Sequence, residues 1–137
     1  MENETTVKAV QDYLEKAGLK FTMDGQRIIL GYQGKNGSFR ILVLIDNEKN
    51  VIRIMIPGYL TLSTRNRDLI LTKLMTLNYQ YVLGKFGYDS QDGEVRIEVN
   101  IPIDELGLTY EAFLHGLVAA IQMADEELPE LLKAVYS

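Results

Sequence analysis

The clearest alternation in the chain runs from Glu94 to Ile101. Val95, Ile97, Val99 and Ile101 interleave with Glu94, Arg96, Glu98 and Asn100. Successive strand side chains point to opposite faces, so this pattern predicts a strand with one apolar and one solvated side. Phe86 and Tyr88 precede it as the partner strand. Ser90-Gln91-Asp92-Gly93 closes the hairpin with an Asp-Gly pair that tolerates positive φ. Pro102 lacks the N–H that a ladder needs and ends the strand. Thr109 then offers an N-cap oxygen, with Glu111 in the first turn where the helix dipole favours a negative charge. Tyr110, Phe113, Leu114, Leu117, Val118, Ile121 and Ala124 keep helical spacing. Asp125-Glu126-Glu127 and Pro129 predict that this helix finishes nearby, with a short terminal helix from Pro129 to about Val135.

The first half carries a different pattern. Val7, Val10, Leu14 and Ala17 form one apolar stripe and predict a helix over Thr5 to Ala17, closed by Gly18 with Leu19 behind it. Phe21 to Met23 starts a sheet that Asp24-Gly25 turns. Strands follow at Arg27 to Tyr32, Phe39 to Ile45 and Val51 to Ile56, the last stopped by Pro57-Gly58. Connections this short cannot form parallel crossovers, so the strands are consecutive antiparallel hairpins. Here the alternation is not clean. Ile29 lies opposite Ile28 and Leu30, Leu42 and Leu44 opposite Phe39, Ile41, Val43 and Ile45, and Met55 opposite Ile54 and Ile56. Two-sided apolar strands need cover on both faces. That cover is either the chain's own helices and loops or a partner at an interface.

A second helix is predicted from Thr64 to Tyr81. Ile70, Leu74, Leu77 and Tyr81 make one stripe, and Leu71, Met75, Asn78 and Val82 make another beside it. The combined arc is wider than a one-sided surface helix requires. It implies either a helix seated deeply in its own subunit or one that also faces a second subunit. The element order α-β-β-β-α-β-β-α, built on antiparallel strands, belongs to the α+β class.

Composition narrows the possibilities. The length of 137 residues suits a single domain spanning 1–137. The absence of cysteine removes disulfides, thiolate nucleophiles and Cys-ligated metals. With no signal peptide and no apolar run near 20 residues, a soluble cytoplasmic chain that does not cross a membrane is expected. The net charge of −5 is unevenly spread: residues 1–84 carry 11 Lys/Arg against 8 Asp/Glu, residues 85–137 carry 3 against 11. Phosphate binding rests on clustered Lys/Arg, so no nucleic-acid partner is expected.

No catalytic constellation emerges. Placing Gly93 at the glycine position of a calcium loop puts Tyr88 and Val99 where oxygen ligands belong. Gly34-Lys35-Asn36 lacks both the upstream Gly and the Ser/Thr of a phosphate loop. His115 is the only histidine, with no visible nucleophile or ligand set beside it. Asp104-Glu105 and Asp125-Glu126-Glu127 read as solvated carboxylates. The expectation is a protein without enzymatic activity, cofactor or metal.

Leu77-Asn78 at a helix end, Gly84-Lys85-Phe86 opening a strand, Asp92-Gly93 in the turn, the Val95 to Pro102 strand, and Asp125 with Pro129 occur in that order. Together they resemble the YbjN family over roughly residues 75–132. That family is similar in fold to the type III secretion chaperones, and its members are described as sensory or stress-response regulators. The resemblance implies a bent antiparallel sheet with helices against it, paired as a homodimer, binding protein and lacking catalytic residues. The resulting expectation is a homodimeric, chaperone-like or regulatory protein-binding module. Its candidate interface residues are Ile29, Leu42, Leu44 and Met55 on the sheet, with Ile70, Leu74 and Leu77 or their neighbouring stripe on the second helix. The alternative is a small-ligand sensor whose pocket between sheet and helices is walled by Tyr32, Tyr59 and Tyr88.

Overall fold

The computed structural model describes the backbone of residues 2–105 and 107–137, and side chains from Thr6 onward. The elements are α1 (Glu2–Lys16), β1 (Thr22–Asp24), β2 (Arg27–Gln33), β3 (Ser38–Asp46), β4 (Val51–Thr61), α2 (Arg67–Gln80), β5 (Lys85–Tyr88), β6 (Glu94–Pro102) and α3 (Tyr110–Tyr136). The strands form one antiparallel sheet in the order β1-β2-β3-β4-β6-β5. The expected α+β class and element order hold, with β1 extending the first hairpin.

Strand alternation decides what is buried. Ile28, Leu30, Phe39, Ile41, Val43, Ile52, Ile54, Ile56, Phe86, Val95, Ile97 and Val99 all belong to the hydrophobic core. Residues from all three helices join that same cluster: Val10 and Leu14 from α1, Ile70 and Leu74 from α2, Phe113 and Leu117 from α3. The helices therefore pack on one side of the sheet. α3 lies along β4 and β6, and a Cβ on its Gly116 would fall 2.5 Å from Ile101 Cδ1, so any larger residue there must displace that side chain.

Two elements are longer than the sequence pattern indicates. β4 does not stop at Pro57-Gly58 but continues to Thr61. Ile56 pairs with Ile97 and Leu60 with Val95, so β4 carries two extra residues in a bulge. Gly58 accepts the required positive φ of 63°, and its amide donates to Glu94 Oε2 at 2.7 Å. The bulge absorbs the proline and turns Tyr59 into the core, between Phe39 and Phe86 at centroid distances of 6.1 and 5.9 Å.

α3 likewise runs unbroken through Pro129. An internal proline removes the N–H that the carbonyl four residues earlier would accept; here that is the carbonyl of Asp125. It accepts instead from Asn36 Nδ2 at 2.9 Å. The preceding carbonyl, on Ala124, accepts from the Tyr59 hydroxyl at 2.7 Å. A tertiary donor thus replaces what the proline takes away, and no second helix begins.

Candidate interaction surfaces

The core accounts for one face of the sheet and leaves the other bare. On that bare face one row crosses all six strands: Thr22, Ile29, Leu42, Met55, Glu98 and Lys85. Its middle is apolar, and Leu44 lies on the same face of β3 two residues beyond Leu42. Ile29, Leu42 and Leu44 remain partly exposed. Met55 differs from the interface expectation: between Leu42 and Glu98 it is buried within the chain and presents almost no surface. Charged groups border the band. Arg53 reaches Asp46 at 3.8 Å and Glu98 at 3.9 Å.

α2 has two apolar faces with opposite fates. Ile70 and Leu74 are only 1% and 4% exposed, and Leu77 packs against the core. These three, expected at an interface, face inward, because that side of α2 closes the core beside β5 and α3. The neighbouring stripe divides: Leu71 packs against the core and Asn78 turns inward to β5, which leaves Met75 and Val82 open. Met75, Tyr79 and Val82 are 71%, 93% and 87% exposed, flanked by exposed Leu69 and Leu83. Met75 and Tyr79 lie one turn apart on α2 and Val82 follows just past its end, so the spacing of Met75 and Tyr79 held a signal that neither stripe includes. Large apolar side chains gathered this way on a surface mark an interaction site.

The inner side of α2 is fixed by polar contacts. Asn78 Nδ2 donates to the Phe86 carbonyl at 3.0 Å, and the Phe86 amide donates to Asn78 Oδ1 at 2.7 Å. One side chain thereby supplies edge strand β5 with both bonds of a missing neighbour. Lys85 Nζ donates to the carbonyls of Asn78 and Tyr81, placing a cation at the negative end of the helix. The Tyr81 hydroxyl donates to Glu127 Oε2 at 2.5 Å, linking the end of α2 to α3. Burial pushes the Tyr81 phenol well above its ordinary range, and its bond to Glu127 adds to that. Burial does the same to Tyr59, with further upward pressure from Glu127. In the hairpin, Glu94 is held below the usual carboxylate range by its bond from Arg96 and then by the Gly58 amide.

Asp125 anchors the β2–β3 loop. Its carboxylate accepts from the amides of Lys35 at 3.0 Å and Asn36 at 2.7 Å. A Cβ on Gly34 would lie 2.5 Å from Asp125 Oδ1, so the loop can wrap the carboxylate only with glycine there.

Tyr32, Tyr59 and Tyr88 do not wall one pocket. Tyr59 is committed to the core and to Ala124, and Tyr88 packs half-buried beside the core. Tyr32 lines a separate groove of about 350 Å³ between the end of α1 and α3, with Leu19, Tyr110, Leu114, Val118 and Ile121. His115 is exposed on α3.

The sequence profile described as "Putative bacterial sensory transduction regulator", YbjN, matches residues 6–133. The chain belongs to the YbjN family. Solved structures show the same fold at low identity. YbjN from E. coli superposes with a TM-score of 0.68 at 14% identity, covering 90% of this chain and 92% of that one. A chain of the ExsC–ExsE complex gives 0.68 at 18% identity, covering 94% and 95%. A Methanothermobacter thermautotrophicus protein gives 0.65 at 10% identity, covering 95% and 99%. No curated protein matches the sequence. Among the described residues of this YbjN-family chain, no helix is long and apolar enough to cross a membrane.

Proposed function

We propose that this YbjN-family chain is a non-enzymatic cytoplasmic module that forms a homodimer through the outer face of α2 and binds other proteins on the bare face of its sheet. The observation that carries this reading is the exposed row Met75, Tyr79 and Val82 beside Leu69. A two-fold axis lets an apolar helix face cover an identical copy of itself, and burying such side chains is worth about 1.5–3 kcal/mol each. The likeness in fold to a chain of the ExsC–ExsE complex supports protein binding by the remaining apolar surface, the band Ile29, Leu42 and Leu44. Chaperone or regulatory adaptor is the role such a pair of surfaces serves.

Sedimentation equilibrium at tens of micromolar tests the first half. Wild type is expected to be a dimer and the Met75→Glu, Val82→Glu variant a folded monomer; a monomeric wild type rules the homodimer out. Affinity capture from the native cell extract tests the second half. Leu42→Asp, Leu44→Asp should remain folded yet lose every protein that wild type retains, and an unchanged set would refute the sheet face as the binding surface.

A second reading, a small-ligand sensor, draws on one specific observation: the apolar groove at Tyr32 between α1 and α3. A thermal-shift screen against metabolites separates it from the first, since a binder of proteins alone shows no shift.

A further inference from the structure

β1 is much shorter than the strand it pairs with. It covers only Arg27 to Ile29 of β2, so among the described residues the outer edge of β2 beyond Ile29 has no strand partner through Gln33. The Gly34 amide donates to the Gly37 carbonyl at 2.8 Å, which sets the phase of the β2–β3 ladder. Alternation along an antiparallel pair then turns the backbone groups of Leu30 and Tyr32 toward β3 and those of Gly31 and Gln33 outward.

Gly31 is the second observation. A Cβ there would meet nothing nearer than the Phe39 carbonyl oxygen at 4.0 Å, and its backbone is not left-handed. The folded chain therefore does not require glycine at this position, in contrast to Gly34 against Asp125. Glycine inside a strand weakens it and marks places where another backbone comes close. The third observation lies at the same spot: an open depression of about 350 Å³ bordered by Lys20, Phe21, Thr22, Ile29, Gly31 and Arg40. Among the described residues neither Lys20 nor Arg40 forms an ion pair.

We propose that the β2 edge at Gly31–Gln33 receives an extended segment of a partner protein as an added strand, with acidic side chains turned toward Lys20 and Arg40. Successive side chains of an added strand fall on opposite faces. One set meets the two cations; the other reaches the apolar groove beside Tyr32 and Leu19. The segment that fits alternates acidic and apolar residues. This rests on the reading of the chain as a protein-binding module and adds to it the edge, the mode and the charge of the partner.

The test follows backbone amide exchange by NMR in the full chain with an acetylated, amidated octapeptide of alternating Glu and Val. Gly31 and Gln33 are expected to exchange at least tenfold more slowly with it, and not with the Lys/Val counterpart. Gly31→Pro removes an outward amide without touching the β3 ladder and should abolish the effect. Should that variant not fold, Gly31→Val fills the depression; it should melt at a higher temperature than wild type and bind the peptide at least tenfold more weakly. Unaltered exchange at both amides overturns the proposal, as does equal protection by the two peptides or undiminished binding by Gly31→Val. Protection confined to α2 or to the Leu42 face overturns it while leaving protein binding intact. Slow exchange at Gly31 and Gln33 in the free protein that grows with its concentration assigns the edge to a second copy and also overturns it. A monomeric wild type with the peptide effect present would sink the homodimer and spare this edge.

Discussion

Asn78 sits near the end of α2 and does the work of a strand residue, giving β5 a donor and an acceptor from one side chain. A neighbouring pair of phenols does comparable work for α3. Tyr59 bonds the Ala124 carbonyl and Tyr81 bonds Glu127, and both ionise well above their ordinary value of 10.0 because burial and nearby carboxylates disfavour the phenolate. The folded-state values are raised, so the stabilisation is fully present below pH 10.0, the unfolded value, and is lost as pH rises through the higher folded values. Of the eight tyrosines, two are therefore expected to resist ionisation until the chain unfolds. Alkaline titration by absorbance at about 295 nm should resolve them as a late step coincident with loss of secondary structure. Tyr81→Phe should remove one of the two; eight phenols titrating together near their ordinary value would contradict the assignment.

At the scale of elements, Pro129 shows why a helix can pass through a residue that normally ends one. The carbonyl it orphans is served by Asn36 from the β2–β3 loop, so the two residues should be energetically coupled. Asn36→Ala is expected to cost about 0.5–1.5 kcal/mol in wild type, the net worth of one such bond. In a Pro129→Ala background the restored amide of residue 129 takes over, and the same change should cost less. Urea unfolding of the four chains measures this; a coupling below about 0.5 kcal/mol would show that the bond adds nothing beyond local geometry. The same pair marks the limit of what could be read from the sequence. Alternation from Glu94 to Ile101, the Asp-Gly hairpin, the Thr109 cap and the element order follow from local rules, and the structure carries them all. The breaks assigned to Pro57-Gly58 and to Pro129 were wrong because each depends on a partner far along the chain, Glu94 in one case and Asn36 in the other. Periodicity shows that a face is apolar but not which neighbour covers it. For that reason the inward stripe Ile70-Leu74-Leu77 and the outward one through Met75 looked alike.

For the whole molecule, that ambiguity on α2 becomes a separable measurement. The inward stripe belongs to folding, since Ile70 and Leu74 fill space between the helix, β5 and α3. Truncating either to alanine leaves a cavity and should cost about 2–5 kcal/mol, a large part of the total of about 5–15 kcal/mol on which a domain of this size rests. The outward stripe has no cavity to leave. Tyr79 can leave water only in the assembled form, so Tyr79→Glu should leave the unfolding of the dissociated chain within about 0.5 kcal/mol of wild type while weakening association at least tenfold. Unfolding monitored across protein concentrations separates the two effects. A dimer's midpoint rises with concentration, and that dependence should persist in a Leu74→Ala chain that still folds but move to at least tenfold higher concentrations in Tyr79→Glu. Midpoints independent of concentration in wild type would mean that the outer face of α2 stays in water. The exposed row would then need a partner of another kind.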